Sequence, residues 1–82
     1  MRWAAKVDRN HNEITQTLRK LGWRCIYLKT PCDLLICRGG QVRLVEIKRD
    51  AKAPLTKVQK DLLADGFPLH VVRTVAEASE IR

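Results

Sequence analysis

The chain has 82 residues, 45% of them hydrophobic, with a formal net charge of +7 and a pI near 9.8. This length predicts a single domain over residues 1–82, and the hydrophobic fraction excludes wholesale disorder. The excess of Lys and Arg indicates a polyanionic partner such as nucleic acid, although a merely soluble basic surface has the same composition.

The number and spacing of the cysteines indicate the redox state of the compartment in which the protein is found. The chain has an odd number of cysteines, and none of them form a C-x-x-C pair: Cys25, Cys32 and Cys37. We therefore expect reduced thiols. His11 and His70 lie far apart in the sequence, which does not favour a zinc site. No signal peptide or membrane-length apolar run is visible, so we expect a cytoplasmic protein with no membrane partner.

The chain opens with a predicted helix and a predicted strand. The apolar residues Ile14, Leu18 and Leu21 recur at helical spacing and predict a helix from about Asn10 to Leu21. Asn10 with Glu13 is typical of an N-cap, and Gly22 is a typical helix stop. Residues 23–28 are rich in strand formers and predict the first strand.

A β-hairpin follows. The Gly pair at 39–40 predicts a two-residue type I′ turn, because that turn needs positive φ at both central positions. It joins predicted strands over 33–37 and 42–48. Alternation along these strands puts four apolar residues on the face that should pack on the core, namely Leu34, Ile36, Val45 and Ile47.

The register of this hairpin brings charged residues together. It predicts Asp33 directly opposite Glu46 on the other face, with Lys48 two residues further along the same face. Carboxylates directly opposite each other destabilise an antiparallel pair. We therefore expect a cation between Asp33 and Glu46.

The remainder of the chain predicts a helix, a strand and a helix. After a basic linker over 49–54, a capping box at 56–59 opens a helix that ends at Gly66. Residues 68–73 predict a fourth strand, and a second capping box at 74–77 opens a short final helix. The order α-β-β-β-α-β-α predicts an α/β fold with a mixed sheet flanked by helices.

The acidic residues of the hairpin and the pattern around them are similar to those of a known protein family. Asp33, followed across the hairpin by Glu46–Lys48, resembles the PD-(D/E)XK nuclease superfamily, in particular small phage VRR-NUC nucleases and archaeal-type Holliday-junction resolvases. The segment Leu55–Gln59 matches the family pattern Leu-Thr-x-x-Gln, and the likeness covers nearly the whole chain. One departure is that Cys32 separates Pro31 from Asp33, which the family keeps adjacent. The implied fold is a minimal restriction-endonuclease-like αβββαβ core with a short C-terminal helix.

The resemblance implies a Mg²⁺-dependent DNA endonuclease, of phage or prophage origin, that acts as a homodimer on branched DNA. Mn²⁺ would substitute for Mg²⁺. Asp33, Glu46, the backbone carbonyl of Ile47 and Glu13 would hold the metal. Lys48 would either deprotonate or orient the attacking water or act electrostatically, and both roles remain open.

Each site residue also has a structural interpretation. Gln59 would support the site from the second helix, but a capping role explains it equally well, and capping explains Glu13 nearly as well as a site role does. Asp33 could cap a turn, and Glu46 with Lys48 could be an exposed pair on an edge strand. That interpretation leaves the opposed acids unexplained.

Four basic residues follow the hairpin and would contact DNA phosphates without reading sequence: Arg49, Lys52, Lys57 and Lys60. A solvated helix face is the alternative. Two other functions also stay open: a nicking or sequence-specific nuclease of the restriction or homing type, and a non-catalytic DNA-binding protein on a degenerate nuclease scaffold.

Overall fold

The structure, a computed structural model, describes residues 9–48 and 54–82. Its elements are α1 (Arg9–Lys20), β1 (Arg24–Tyr27), β2 (Leu34–Arg38), β3 (Gln41–Ile47), α2 (Lys57–Ala64), β4 (Leu69–Val72) and α3 (Val75–Ser79). This order confirms the predicted α/β fold. Among these residues, no helix has the length and apolar character needed to cross a bilayer.

The four strands form one mixed sheet in the order β1-β2-β3-β4. Neighbours β1, β2 and β3 are antiparallel, whereas β4 pairs parallel to β3. Parallel pairing requires a crossover connection, and α2 lies in the connection between β3 and β4. The end of β3 is therefore followed directly by the segment that leads to α2.

The hairpin turn has the predicted geometry. Gly39 and Gly40 have φ values of 59° and 82°, and Arg38 pairs with Gln41 across the turn. Residues with a Cβ adopt such φ values at a cost, so the glycine pair fixes the turn and with it the strand register.

One face of the sheet carries the core. Its buried residues come from β2, β3, β4, α1, α3, the turn after α1 and the segment after α3: Ile14, Leu18, Trp23, Leu34, Ile36, Val45, Ile47, Val72, Ala78 and Ile81. Helices α1 and α3 contact each other over this face. Because neighbouring residues of a strand point to opposite faces, Glu46 and Lys48 point away from this core.

The N-terminal end of α1 differs from the predicted one. Asn10 is already helical, because α1 includes Arg9, so the predicted N-cap at Asn10 is wrong. At the other end, the Arg38 guanidinium lies 4.2 Å from the Trp23 ring centre and donates to the Leu21 carbonyl at 2.8 Å. This contact ties the turn after α1 to β2.

Candidate functional site

Asp33 lies at the point where the pairing of β2 and β3 ends. The last backbone pair is Leu34 with Val45, so the predicted pairing of Asp33 with Glu46 does not continue the ladder. Instead, Asp33 Oδ2 accepts a hydrogen bond from the Ile47 N–H at 2.7 Å, and the Asp33 N–H donates to the Val45 carbonyl at 3.1 Å. A short carboxylate competes with backbone carbonyls for N–H groups, so the Asp33 side chain replaces the next rung.

Glu46 of β3 and Lys48, the residue directly after β3, form a largely buried ion pair. Lys48 Nζ lies 2.9 Å from Glu46 Oε2, and the two side chains are 13% and 10% exposed. Burial raises the pKa of the Glu46 carboxyl, the hydrogen bond from Lys48 opposes this rise, and the negative charge of Asp33 adds to it. The structure thus brings Asp33, Glu46 and Lys48 to one end of the hairpin, with the two carboxylates close enough to repel.

Gln59 connects α2 to this end of the hairpin. It is 3% exposed, and it exchanges hydrogen bonds of 3.1 Å with Thr56 in the predicted capping box. The same side-chain amide donates to the Pro31 carbonyl at 2.8 Å and favours the charged form of Glu46. Gln59 therefore both caps α2 and contacts Glu46, so its capping does not exclude the predicted supporting role.

Gln59→Ala is expected to lower the free energy of unfolding by about 2 kcal/mol, because it removes the side-chain half of the capping box and leaves the Pro31 carbonyl without its donor. Lys60→Ala, at the next and exposed position of α2, is the control and should change stability by less than about 0.5 kcal/mol. Urea unfolding of both variants measures this difference. Equal losses would show that Gln59 acts only as an ordinary helix residue.

His11 approaches Asp33 from α1, which the sequence analysis did not predict. His11 Nε2 lies 3.8 Å from Asp33 Oδ1, and the side chains are 25% and 27% exposed. Oδ1 is the carboxylate oxygen that does not accept the Ile47 N–H. The signal in the sequence is the helical spacing of His11 with Ile14 and Leu18, which extends the buried stripe of α1 towards the site.

Glu13 lies on another side of α1. It is exposed and lines a shallow groove with Lys20 and with Val75 of α3. Helix positions two apart do not face each other, so Glu13 does not share the direction of His11. The structure shows no contact that joins the Glu13 carboxylate to Asp33, within the residues it describes.

The predicted phosphate-binding residues are only partly described. Arg49 and Lys52 lie outside the described residues. Lys57 is exposed at the start of α2 and pairs with Asp61 at 3.1 Å, and Lys60 is exposed one turn further along. Both belong to the helix that contacts the site through its buried glutamine.

The cysteines Cys25, Cys32 and Cys37 are free. Cys32 is buried beside the site, where its Sγ lies 3.7 Å from the Leu34 carbonyl oxygen. Burial raises the pKa of the Cys32 thiol, and the charge of Glu46 adds to this. A protonated, buried thiol packs as a small apolar group rather than acting as a nucleophile.

Neither a family model nor a curated protein nor a solved structure matches this chain. Within residues 9–48 and 54–82, no three His, Cys, Asp or Glu side chains are grouped as metal ligands. The arrangement is instead an open one, in which two neighbouring carboxylates and a lysine meet. Mg²⁺ is usually held in this way in proteins, by one or two carboxylates and retained waters.

Proposed function

We propose that this chain is a metal-dependent DNA endonuclease of the PD-(D/E)XK type. The meeting of Asp33, Glu46 and Lys48 at the end of the hairpin is the observation that supports this most. The alternative of an exposed pair on an edge strand does not fit, because β3 lies inside the sheet and Glu46 is buried. Burying charged groups is costly, so their retention here favours a function.

The donor set suits a hard divalent cation. Asp33 through Oδ1 and Glu46 would hold Mg²⁺, with the Ile47 carbonyl as a further oxygen ligand, and Mn²⁺ would substitute. Once bound, such an ion polarises the phosphate and makes water a better nucleophile at neutral pH. Burial and, to a lesser extent, the charge of Asp33 raise the pKa of Glu46, and a bound cation would offset both.

The chain's own residues would position the reacting groups. Lys48 Nζ lies beside Glu46 Oε2 and would contact an oxygen of a phosphate bound near the two carboxylates, where it would stabilise the growing negative charge. Its other possible role is to accept a proton from the attacking water. The Ile47 N–H fixes the Asp33 carboxylate, and Gln59 helps to fix Glu46. Ligands that are already oriented need little rearrangement during the reaction.

We propose DNA as the polyanionic partner, because the net charge of +7 favours binding to a phosphate backbone. We infer that the enzyme acts as a homodimer, because two sites related by a two-fold axis suit cleavage of two opposed strands. Branched DNA is the preferred substrate class. The alternatives are a nicking or sequence-specific nuclease and a non-catalytic DNA-binding protein.

Cleavage patterns distinguish these classes. The protein is incubated with an end-labelled four-way junction and with a linear duplex of the same sequence, in Mg²⁺. We expect symmetric cuts on two opposed strands of the junction and little cutting of the duplex. Equal cutting of both would indicate a general nuclease, and cuts at one sequence in both would indicate sequence specificity.

The double variant Lys57→Ala/Lys60→Ala is expected to bind duplex DNA about tenfold more weakly, with the slope of log affinity against log salt reduced by about two, because each phosphate contact releases about one counterion. Fluorescence anisotropy over a salt series measures both quantities. Lys20→Ala/Arg24→Ala removes the same charge from exposed positions outside α2. If both double variants lost the same DNA affinity and the same salt slope, the effect would come from net charge alone and not from the position of Lys57 and Lys60.

A further inference from the structure

We propose that the outer edge of β1 is the surface through which two copies of this chain pair, so that their four-stranded sheets join into one sheet. This pairing rests on the proposed function in one respect, since it forms the homodimer proposed for the nuclease. It adds to that function the surface of contact, the strand register and the relative position of the two sites.

The two edges of the sheet differ in exposure. The edge strands are β1 and β4, and in β4 Leu69 and Val72 are buried and the residues between them are half-buried. In β1 three of the four residues are exposed, with Ile26 at 50% and Tyr27 at 54%. Lysine, proline or a bulge usually protects such an edge, because its backbone groups can pair with another chain. β1 has none of these three features, so it is open to pairing.

The backbone of β1 points hydrogen-bonding groups towards this edge at alternate residues. The Leu28 N–H donates to the Asp33 carbonyl at 2.8 Å, which continues the pairing of β1 with β2. Bonded and non-bonded pairs alternate along an antiparallel ladder, so Ile26 also points its N–H and C=O towards β2. The N–H and C=O groups of Cys25 and Tyr27 therefore point outwards and offer two donors and two acceptors.

These outward groups are self-complementary about a two-fold axis at Ile26. Antiparallel pairing of β1 with β1 of a second copy sets Cys25 opposite Tyr27 of that copy, and the reverse, which makes four backbone hydrogen bonds. The two Ile26 side chains then meet in the non-hydrogen-bonded position, where opposite side chains are closest. Arg24 lies opposite Leu28 of the second copy, so like charges do not face each other there. The edge of β1 is therefore complementary to a second copy of itself.

This pairing places both candidate sites on one face of the joined sheet. A two-fold axis perpendicular to the sheet keeps corresponding faces on the same side, so Glu46 of both copies faces the same way. Asp33 lies on the strand beside β1, two residues along from the axis. A strand spacing of about 4.8 Å and a rise of about 3.3 Å per residue then give about 20 Å between the two Asp33 Cα atoms. Two sites so placed suit cleavage of two opposed strands.

Sedimentation velocity of the full chain at micromolar concentration, without DNA or metal, tests the pairing. We expect the wild type to sediment at twice the 9.4 kDa of one chain. Ile26→Lys places two ammonium groups opposite each other at the axis and should weaken dimerisation at least about a hundredfold, because like charges so placed repel strongly. Val58→Lys makes a similar change at a position of α2 that is 52% exposed, and this control should remain a dimer.

Disulfide formation tests the strand register. Cα atoms of a non-hydrogen-bonded antiparallel pair lie about 4.5 Å apart, which is within the range of a disulfide. Ile26→Cys is combined with Cys37→Ser, which removes the exposed native thiol, and should give a covalent dimer under mild oxidation. Val58→Cys in the same Cys37→Ser background is the control and should run as a single chain on a non-reducing gel.

The outcomes separate the pairing from the proposed function. A wild type that sediments as a monomer, or a dimer that Ile26→Lys leaves intact, would overturn the pairing and leave this edge to a strand of another protein. A dimer that cuts no DNA would keep the pairing and contradict the nuclease, whereas a monomer that cuts DNA would do the reverse. If Ile26→Lys does not fold by circular dichroism, the presence or absence of the Ile26→Cys covalent dimer decides.

Discussion

Asp33→Asn is expected to lower the rate of metal-dependent DNA cleavage at least about a thousandfold, because a bound divalent ion contributes several kcal/mol to the transition state and about 1.4 kcal/mol is a factor of ten. The fold should survive this change. The amide oxygen of Asn can still accept the Ile47 N–H that Asp33 Oδ2 accepts at 2.7 Å. What the variant loses is the negative charge that the cation needs.

Asp65→Asn is the matched control, since Asp65 is exposed at the C-cap of α2. Single-turnover cleavage, DNA affinity and melting temperature are measured for both variants. We expect Asp33→Asn to lose only cleavage and Asp65→Asn to lose nothing. If Asp33→Asn kept more than about a tenth of the wild-type rate, Asp33 would not be a ligand of a catalytic ion.

Leu34→Ala is expected to have the largest effect on stability, with a loss of about 3 kcal/mol, because truncating a buried leucine removes apolar contacts and leaves a cavity. Leu34 is 0% exposed, lies in the core and directly follows Asp33. A domain of this length has a total stability of roughly 4–12 kcal/mol. The variant should therefore lose a large share of its stability, and the site should become less ordered with it.

Leu63→Ala makes the same chemical change at a position that is 42% exposed. It should cost less than about 1 kcal/mol. For a domain of this size, the melting temperature should fall by roughly 10–25 °C for Leu34→Ala and by at most about 8 °C for Leu63→Ala. Similar decreases in both variants would show that the core does not lie on the face of the sheet assigned to Leu34.

The parts of the fold that were predicted from the sequence depend on local rules. The glycines at 39–40 determine a turn, and the turn determines the register from Arg38 back to Leu34. The capping box at 56–59 marks the start of α2 within one residue. Because alternation along β2 and β3 follows from that register, the core face was also predictable.

The site was predictable only in outline. Asp33, Glu46 and Lys48 meet as the register suggested, but the ladder ends one pair earlier, because the Asp33 side chain takes the N–H of Ile47. A sequence pattern does not show when a side chain outcompetes a backbone carbonyl. The contact of His11 with Asp33 depends on how α1 packs across the sheet.

The apolar periodicity of α1 also indicates which of its polar residues lies next to the buried stripe. Ile14 and Leu18 define the buried stripe, and His11 lies on it whereas Glu13 does not. Preference for an acidic residue on this helix came from the family resemblance. The stripe itself would have favoured His11 over Glu13 as the α1 residue that lies beside Asp33.

We propose that Asp33, Glu46 and Lys48 hydrolyse DNA, and a single gel is the simplest test of that claim. Purified wild-type protein and Asp33→Asn, prepared in parallel, are incubated with the labelled four-way junction in Mg²⁺ and in EDTA. We predict cut strands only for the wild type in Mg²⁺. Junction DNA that is bound but never cut, in Mg²⁺ or in Mn²⁺, would contradict the claim and leave a non-catalytic DNA-binding protein.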